Sequence, residues 1–180
     1  MNKGWIYLAG AGILAFAAKN ILQQALFKKA TPAQQAFLNS VNKYSADIEK
    51  IYGIKPVILL SQASLESGFG TSGLARNGMN LFGIKVSKQW EKDGKPVWTG
   101  VTHEFVNGVE ITITDKFKKY GSWKESIYDW AELISGIYKT AYGFAKTGNV
   151  ASYGQAIVNT GYSTHPQYAS LLTKVASQIA

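Results

Sequence analysis

Residues 56–68 read PVILLSQASLESG, from Pro56 through Glu66 and Ser67 to Gly68. A proline at the first helical position and a glycine just past the last bracket a helix. Val57, Ile58, Leu59, Leu60, Ala63 and Leu65 leave that helix apolar nearly all round, the pattern of a central buried helix rather than a surface one. Glu66 closes it, and a carboxylate there faces two readings. It points to solvent at a helix end, or it is buried, where desolvation costs several kcal/mol and raises its pKa. The second environment suits a general acid that keeps its proton near neutral pH.

On the N-terminal side, Thr31-Pro32-Ala33-Gln34 reads as a capping box with proline at the first helical position. Phe37, Val41, Tyr44, Ile48 and Ile51 then recur at helical spacing, predicting one amphipathic helix that stops at Gly53. On the C-terminal side, Gly68 to Gly100 holds six further glycines and few periodic runs, so loops and short turns around a site are expected. Val101–Thr114 then contains VTHEFV, Asn107-Gly108 and VEITIT, the pattern of a two-residue hairpin. Counting back from the turn pairs Val106 with Val109 and Glu104 with Ile111. Thr102, Glu104, Val106, Val109, Ile111 and Ile113 fall on one face, and His103, Phe105, Glu110 and Thr112 on the other. Glu104 is then either an inward charge protecting an edge strand or a second carboxylate over a cleft.

Ser122 and Glu125 form another capping box, followed by a stripe of Ile127, Trp130, Ala131, Ile134, Ile137, Tyr138 and Ala141. A shorter helix is expected near Tyr153 to Asn159 and a last one from about Pro166, with Tyr168, Leu171, Leu172, Val175 and Ile179 at spacing three and four. The fold class is mainly α with a small β-hairpin lobe.

The chain has 180 residues, 46% hydrophobic and 13% aromatic, enough for one packed domain and a short appendage. No cysteine is present, which removes disulfides, thiolate metal sites and cysteine nucleophiles. His103 and His165 are the only histidines and share no ligand spacing, so no metal or other cofactor is expected. His103 reads as a surface strand residue and His165, before Pro166, as a helix cap. The net charge is +8, yet with Arg76 as the sole arginine and no dense basic cluster, no nucleic-acid partner is expected. Trp90, Trp98, Phe82, Tyr162 and Tyr168 include rings outside the clean helical stripes, either core filling or faces on which sugars stack.

SQASLESGFGTSGLARNGMNLFGIK, Ser61 to Lys85, closely resembles the glutamate-containing segment of glycoside hydrolase family 73, the bacterial and phage endo-β-N-acetylglucosaminidases. Three later blocks are similar in order: WTGVTHEFVNG to the family's hairpin with its second acid, FKKYGSWKESIYDWAELI to the segment F-R-x-Y-x-S, and GYSTHPQYASLL to the closing motif G-Y-A-T-D-P-x-Y-A. The resemblance covers about residues 35–180. It implies a lysozyme-like α+β fold and a peptidoglycan hydrolase that cleaves the β-1,4 bond after N-acetylglucosamine in glycan strands. By the same resemblance Glu66 falls on the general acid, Glu104 on the second carboxylate and Tyr162 on the active-site tyrosine. Asn80, Phe82 and Gly83 fall on the loop that shapes the groove, where Trp98 and Tyr168 are further substrate-binding candidates. Two departures are visible. His165 stands where the family usually has Asp, which puts that residue's cap in doubt, and Lys118 stands for Arg, which weakens bidentate pairing. The rival readings are a muramidase or lytic transglycosylase on the same fold, and an inactive wall-binding or virion-structural module.

Residues 1–30 form a leader outside the resemblance, and 31–180 form the domain. Four of the 19 basic residues, Lys3, Lys19, Lys28 and Lys29, lie in the leader with no acid, leaving 15 against 11 acids in the body. Between Lys3 and Lys19 stand fifteen uncharged residues, short of the roughly 20 of a spanning helix. Ala15-Phe16-Ala17 has the small-x-small pattern of a signal-peptidase site, but the apolar pattern resumes through Ile21, Leu22, Ala25, Leu26 and Phe27. A cleaved signal, an uncleaved membrane anchor over residues 4–27 and a helix packed on protein are the readings, and the anchor is the expectation carried forward. Lysines after the segment favour a cytoplasmic body, whereas a wall enzyme needs the opposite side or delivery from outside by a membrane-containing virus. The expected place of action is the cell envelope, membrane-anchored, secreted or virion-associated.

Overall fold

A computed structural model describes residues 30–106 and 109–179 of the protein. The leader expectations and the Asn107-Gly108 turn lie outside the described residues.

Thr31 caps α1 (Pro32–Asn42) as the sequence implies: its hydroxyl accepts from the Gln34 amide and the Gln34 side chain answers to the Thr31 N–H. The single helix expected through to Gly53 is broken. Tyr44 N–H bonds back three residues to the Val41 carbonyl at 3.1 Å, and α2 (Ser45–Tyr52) starts anew. This tighter turn shifts the helical phase, so Val41 and Ile48 stay fully buried while Ile51 is 59% exposed.

α3 (Pro56–Ser67) is the central helix, with Ile58, Leu59, Ala63, Leu65 and Glu66 all inaccessible to solvent. It ends where the chain turns left-handed at Gly68 (φ 58°), Phe69 (φ 56°) and Gly70 (φ 76°). The Ser67 hydroxyl donates to the Ala63 carbonyl and accepts from Gly70 N–H at 2.7 Å, pinning that turn. A Cβ on Gly70 would stand 2.6 Å from the Phe37 ring, so glycine is required there on two counts.

The stretch expected as loops carries two short helices, α4 (Gly73–Asn77) and α5 (Lys88–Lys92), each capped by a serine hydroxyl, Ser72 and Ser87. The hairpin is longer than VTHEFV and VEITIT alone: β1 (Val97–Val106) pairs antiparallel with β2 (Val109–Lys118). Its register is the expected one, Val106 opposite Val109 and Glu104 opposite Ile111. The apolar face is only half covered. Thr102 and Glu104 are buried, but Val109 and Ile111, near the turn, are 63% and 39% exposed, beyond the reach of the helical body.

The Ser122 hydroxyl accepts from Glu125 N–H at the start of α6 (Trp123–Gly136). The stripe expected to run through to Ala141 is interrupted after Gly136, leaving Ile137 exposed and Tyr138 buried ahead of α7 (Lys139–Ala145). α8 (Val150–Asn159) and α9 (Tyr168–Ile179) complete the body. Helix α3 touches α1, α2, α8 and α9, which gives it the all-round burial its composition demands. Among the described residues no helix is long and apolar enough to cross a membrane.

Candidate active site

Glu66 sits in the last turn of α3 with no solvent exposure, so the solvent-facing reading is overturned. The Tyr168 hydroxyl, from the first residue of α9, donates to its Oε1 at 2.9 Å, and Oε2 has no hydrogen-bond partner. Burial pushes the carboxyl up to about 8, against a smaller opposing pull from the Tyr168 hydroxyl and the nearby Gln62 amide. An acid so placed holds its proton through neutral pH and can give it to an oxygen brought alongside.

The phenols around it are neutral. Tyr153, Tyr162 and Tyr168 are all held well above the ordinary tyrosine range by burial and by the Glu66 charge. Tyr162 is not the tyrosine bonded to Glu66. Its hydroxyl donates to the Phe82 carbonyl at 3.1 Å, and its ring stands edge-on to Tyr138 and 6.4 Å from Tyr168. Tyr168, expected as a sugar-binding ring, is fully buried and its hydroxyl is spent on Glu66, so it presents no face to a sugar.

Asn80 and Phe82 are buried as well. Asn80 donates from Nδ2 to the Ile84 and Lys118 carbonyls at 3.0 and 2.9 Å and accepts at Oδ1 from Phe82 and Ile84 N–H. All its capacity ties the loop to the end of β2, and none is left for a ligand. Phe82 is buried and stacked on Trp130 with ring centroids 4.8 Å apart. Gly83 is buried too, with φ 64°. These three shape the loop from behind. Trp98, like Trp90, is half-buried, whereas Phe82, Tyr162 and Tyr168 are fully buried. Trp98 packs on Leu74 and Phe117 and lies so close over Gly100 that a Cβ there would meet the indole at 1.9 Å.

Glu104 is buried on the hairpin face and meets the Lys85 ammonium at 2.8 Å. Lys85 also reaches Asp115 at 2.7 Å. Burial opposes the Lys85 charge, but Asp115 and Glu104 outweigh it and raise its pKa. The Thr164 hydroxyl accepts from Phe105 N–H at 3.1 Å and donates to Glu104 Oε2 at 3.4 Å, and the His165 ring stands edge-on to Phe105. The segment before α9 thereby holds the hairpin to the helical body. Thr102, two residues from Glu104, is fully buried with an unpartnered hydroxyl.

The two departures from the family pattern are both compensated. His165 Nδ1 accepts from Gln167 N–H at 3.1 Å, so the cap survives the absence of Asp. Burial lowers the His165 pKa, with Glu110 opposing, and so favours the neutral ring that can accept. Lys118 Nζ reaches both carboxylate oxygens of Asp129, at 3.1 and 2.8 Å. His103, against Thr112 and Glu110, is the expected surface strand residue. Among the described residues no three His, Cys, Asp or Glu side chains converge as metal ligands do.

Sequence reasoning missed Lys85, Thr164 and Gln62. Only Gln62 had a local signal, since four residues before Glu66 lies on the same helix face.

Residues 42–180 match the family model described as mannosyl-glycoprotein endo-beta-N-acetylglucosaminidase. The exo-glucosaminidase LytG of Bacillus subtilis is 33% identical over 149 residues, 81% of this chain and 51% of the relative. The probable N-acetylmuramidase of Lactococcus lactis subsp. lactis is 32% identical over 179 residues, 93% of this chain and 39% of the relative. A crystal structure of a peptidoglycan hydrolase mutant from Sphingomonas sp. A1 superposes with a TM-score of 0.70 at 27% identity, covering 79% of this chain and 92% of that one. The chain spans about half the length, or less, of the relatives it matches.

Proposed function

The chain belongs to the glucosaminidase family, and we propose that its body is a peptidoglycan hydrolase cutting the β-1,4 bond after N-acetylglucosamine, with Glu66 as the general acid. The observation that carries this reading is the buried Glu66 carboxyl, pushed up to about 8. In the proposed step the Glu66 proton passes to the glycosidic oxygen as the bond from the anomeric carbon to that oxygen breaks. The leaving sugar departs as an alcohol, and Glu66 is left as a carboxylate. For the second half-reaction Glu104, on the hairpin, is the candidate to activate water, giving inversion. Attack by the substrate's own acetamido oxygen is the alternative, with Glu104 or Tyr162 in support. Asn80, Phe82 and Gly83 act by setting the loop, and Trp98 offers the ring edge for sugar contact.

The name of the Lactococcus relative favours a second reading, cleavage on the muramic acid side by the same acid. Reducing-end analysis of digested peptidoglycan separates the two: N-acetylglucosamine ends are expected, and muramic acid ends would replace the first reading by the second. For place of action we propose the cell envelope, with residues 4–27 as a membrane attachment and delivery by a membrane-containing virion as one route. Fractionation with a mass measurement of the N-terminus tests that attachment, and a chain trimmed past Ala17 and free in the medium overturns it.

A further inference from the structure

Gln62 lies one helical turn before Glu66 on the central helix, wholly buried. Its Oε1 accepts two hydrogen bonds, from Trp130 Nε1 at 3.0 Å and from the Tyr153 hydroxyl. These donors come from α6 and α8, so the amide is locked from two sides with its oxygen turned toward them. Its Nε2 has no partner. Burying an amide NH2 with nothing to donate to costs about 1–3 kcal/mol, a poor use of a residue in the middle of a core. One turn further on, Oε2 of the Glu66 carboxyl is likewise unpartnered. Tyr168 donates to Oε1, which leaves Oε2 as the oxygen placed to carry the proton of the acid.

We propose that Gln62 is a positioning residue for the proton transfer, its preset amide receiving the Oε2 that Glu66 exposes when its proton leaves. The proposal rests on the reading of Glu66 as the general acid. In balanced form, the proton moves from Oε2 to the glycosidic oxygen, the bond from the anomeric carbon to that oxygen breaks, and Oε2 becomes anionic. Gln62 Nε2–H then donates a hydrogen bond to it without losing a proton. A carboxylate appearing in a site closed to water needs such donors already in place. The titratable groups facing Glu66 are Tyr153 of α8, Tyr162 of the loop before α9 and Tyr168 of α9, all kept neutral. Tyr168 supplies one donor and Gln62 the other, and the smaller downward pull of both on the Glu66 pKa agrees with that role.

The test compares Gln62→Met, Tyr153→Phe and Glu66→Gln in the full chain, reading kcat, KM and the pH profile on peptidoglycan. Gln62→Met removes a donor to the charged form, so kcat should fall roughly tenfold with KM unchanged, and the alkaline limb should move up by about one pH unit. Tyr153→Phe keeps the amide but frees half its lock, and should move the limb the same way by less. An alkaline limb left at its wild-type position in a folded Gln62→Met overturns the proposal, however far kcat drops. If that variant fails to fold, an unmoved limb in Tyr153→Phe overturns it. Turnover retained in Glu66→Gln brings down the acid assignment itself, whereas a dead Glu66→Gln with an unmoved limb brings down only the part given to Gln62.

Discussion

Glu66 and Glu104 are both buried carboxyls, but the chain treats them in opposite ways. Glu66 ends a helix surrounded by four others, its neighbours are neutral phenols and an amide, and burial leaves it protonated to about pH 8. Glu104 stands on a two-stranded hairpin and is met by a lysine ammonium at 2.8 Å and a threonine hydroxyl. A carboxyl with no cation nearby answers burial by keeping its proton, whereas one given a cation enters an ion pair. The contrast teaches how one small domain can give two buried glutamates different chemistry, since the difference lies in what surrounds each of them.

The largest effect that breaks the comparison is on turnover. Glu66→Gln should lower kcat by roughly 10²–10⁴-fold and Glu104→Gln by less, about 10–10²-fold, because on the proposed reading only the first removes the proton source. Steady-state assays of glycan cleavage on both folded variants check this. Equal losses would make the two carboxyls a single unit, and full activity in Glu104→Gln would leave the acetamido route as the second half-reaction.

The next effect is on stability, and its sign follows from the raised pKa. Glu66 titrates at about 8 when folded and near 4.5 when exposed, so between those values the folded state binds the extra proton and stability falls as pH rises. At pH 8 the accumulated loss is on the order of a few kcal/mol. Glu66→Gln carries no such loss and should outlast wild type in urea by a margin that grows from pH 5 to pH 8.

The smallest effect sharpens the hairpin side. Lys85→Met leaves Glu104 and Asp115 facing each other without their shared cation, and should destabilise by about 1–3 kcal/mol, less than a fully buried pair because Lys85 keeps some solvent contact. Hydrogen exchange should speed in residues 97–106 and 109–118 while α3 keeps its protection. Loss of protection in both regions alike would show that the hairpin and the helical body open as one.

What could be seen in the sequence divides along the same line. Helix α3 and its boundaries were legible because composition alone says a helix is apolar on every side, but that pattern left open whether Glu66 at its end faced solvent or the core. The hairpin register was legible because a two-residue turn and period-two spacing fix it. What could not be seen were partners far apart along the chain: Tyr168 lies 102 residues from Glu66, Lys85 nineteen from Glu104, and Trp130 sixty-eight from Gln62. Tyr162 and Tyr168 are both tyrosines of the closing motif, and only packing decides which hydroxyl reaches the acid. Asn80 looked like a binding residue because an amide in a glycine-rich loop suits a ligand and a backbone equally well.

The Tyr168 hydroxyl touches Glu66 and the Thr164 hydroxyl touches Glu104. Four residues of chain join these two contacts, a length that spans no more than about 14 Å at full stretch. The closing motif is therefore a caliper with one jaw on each glutamate. The backbone between the jaws limits how far the hairpin can swing from the helices while both contacts hold, and anything that forces them wider must first lift Thr164 off its jaw.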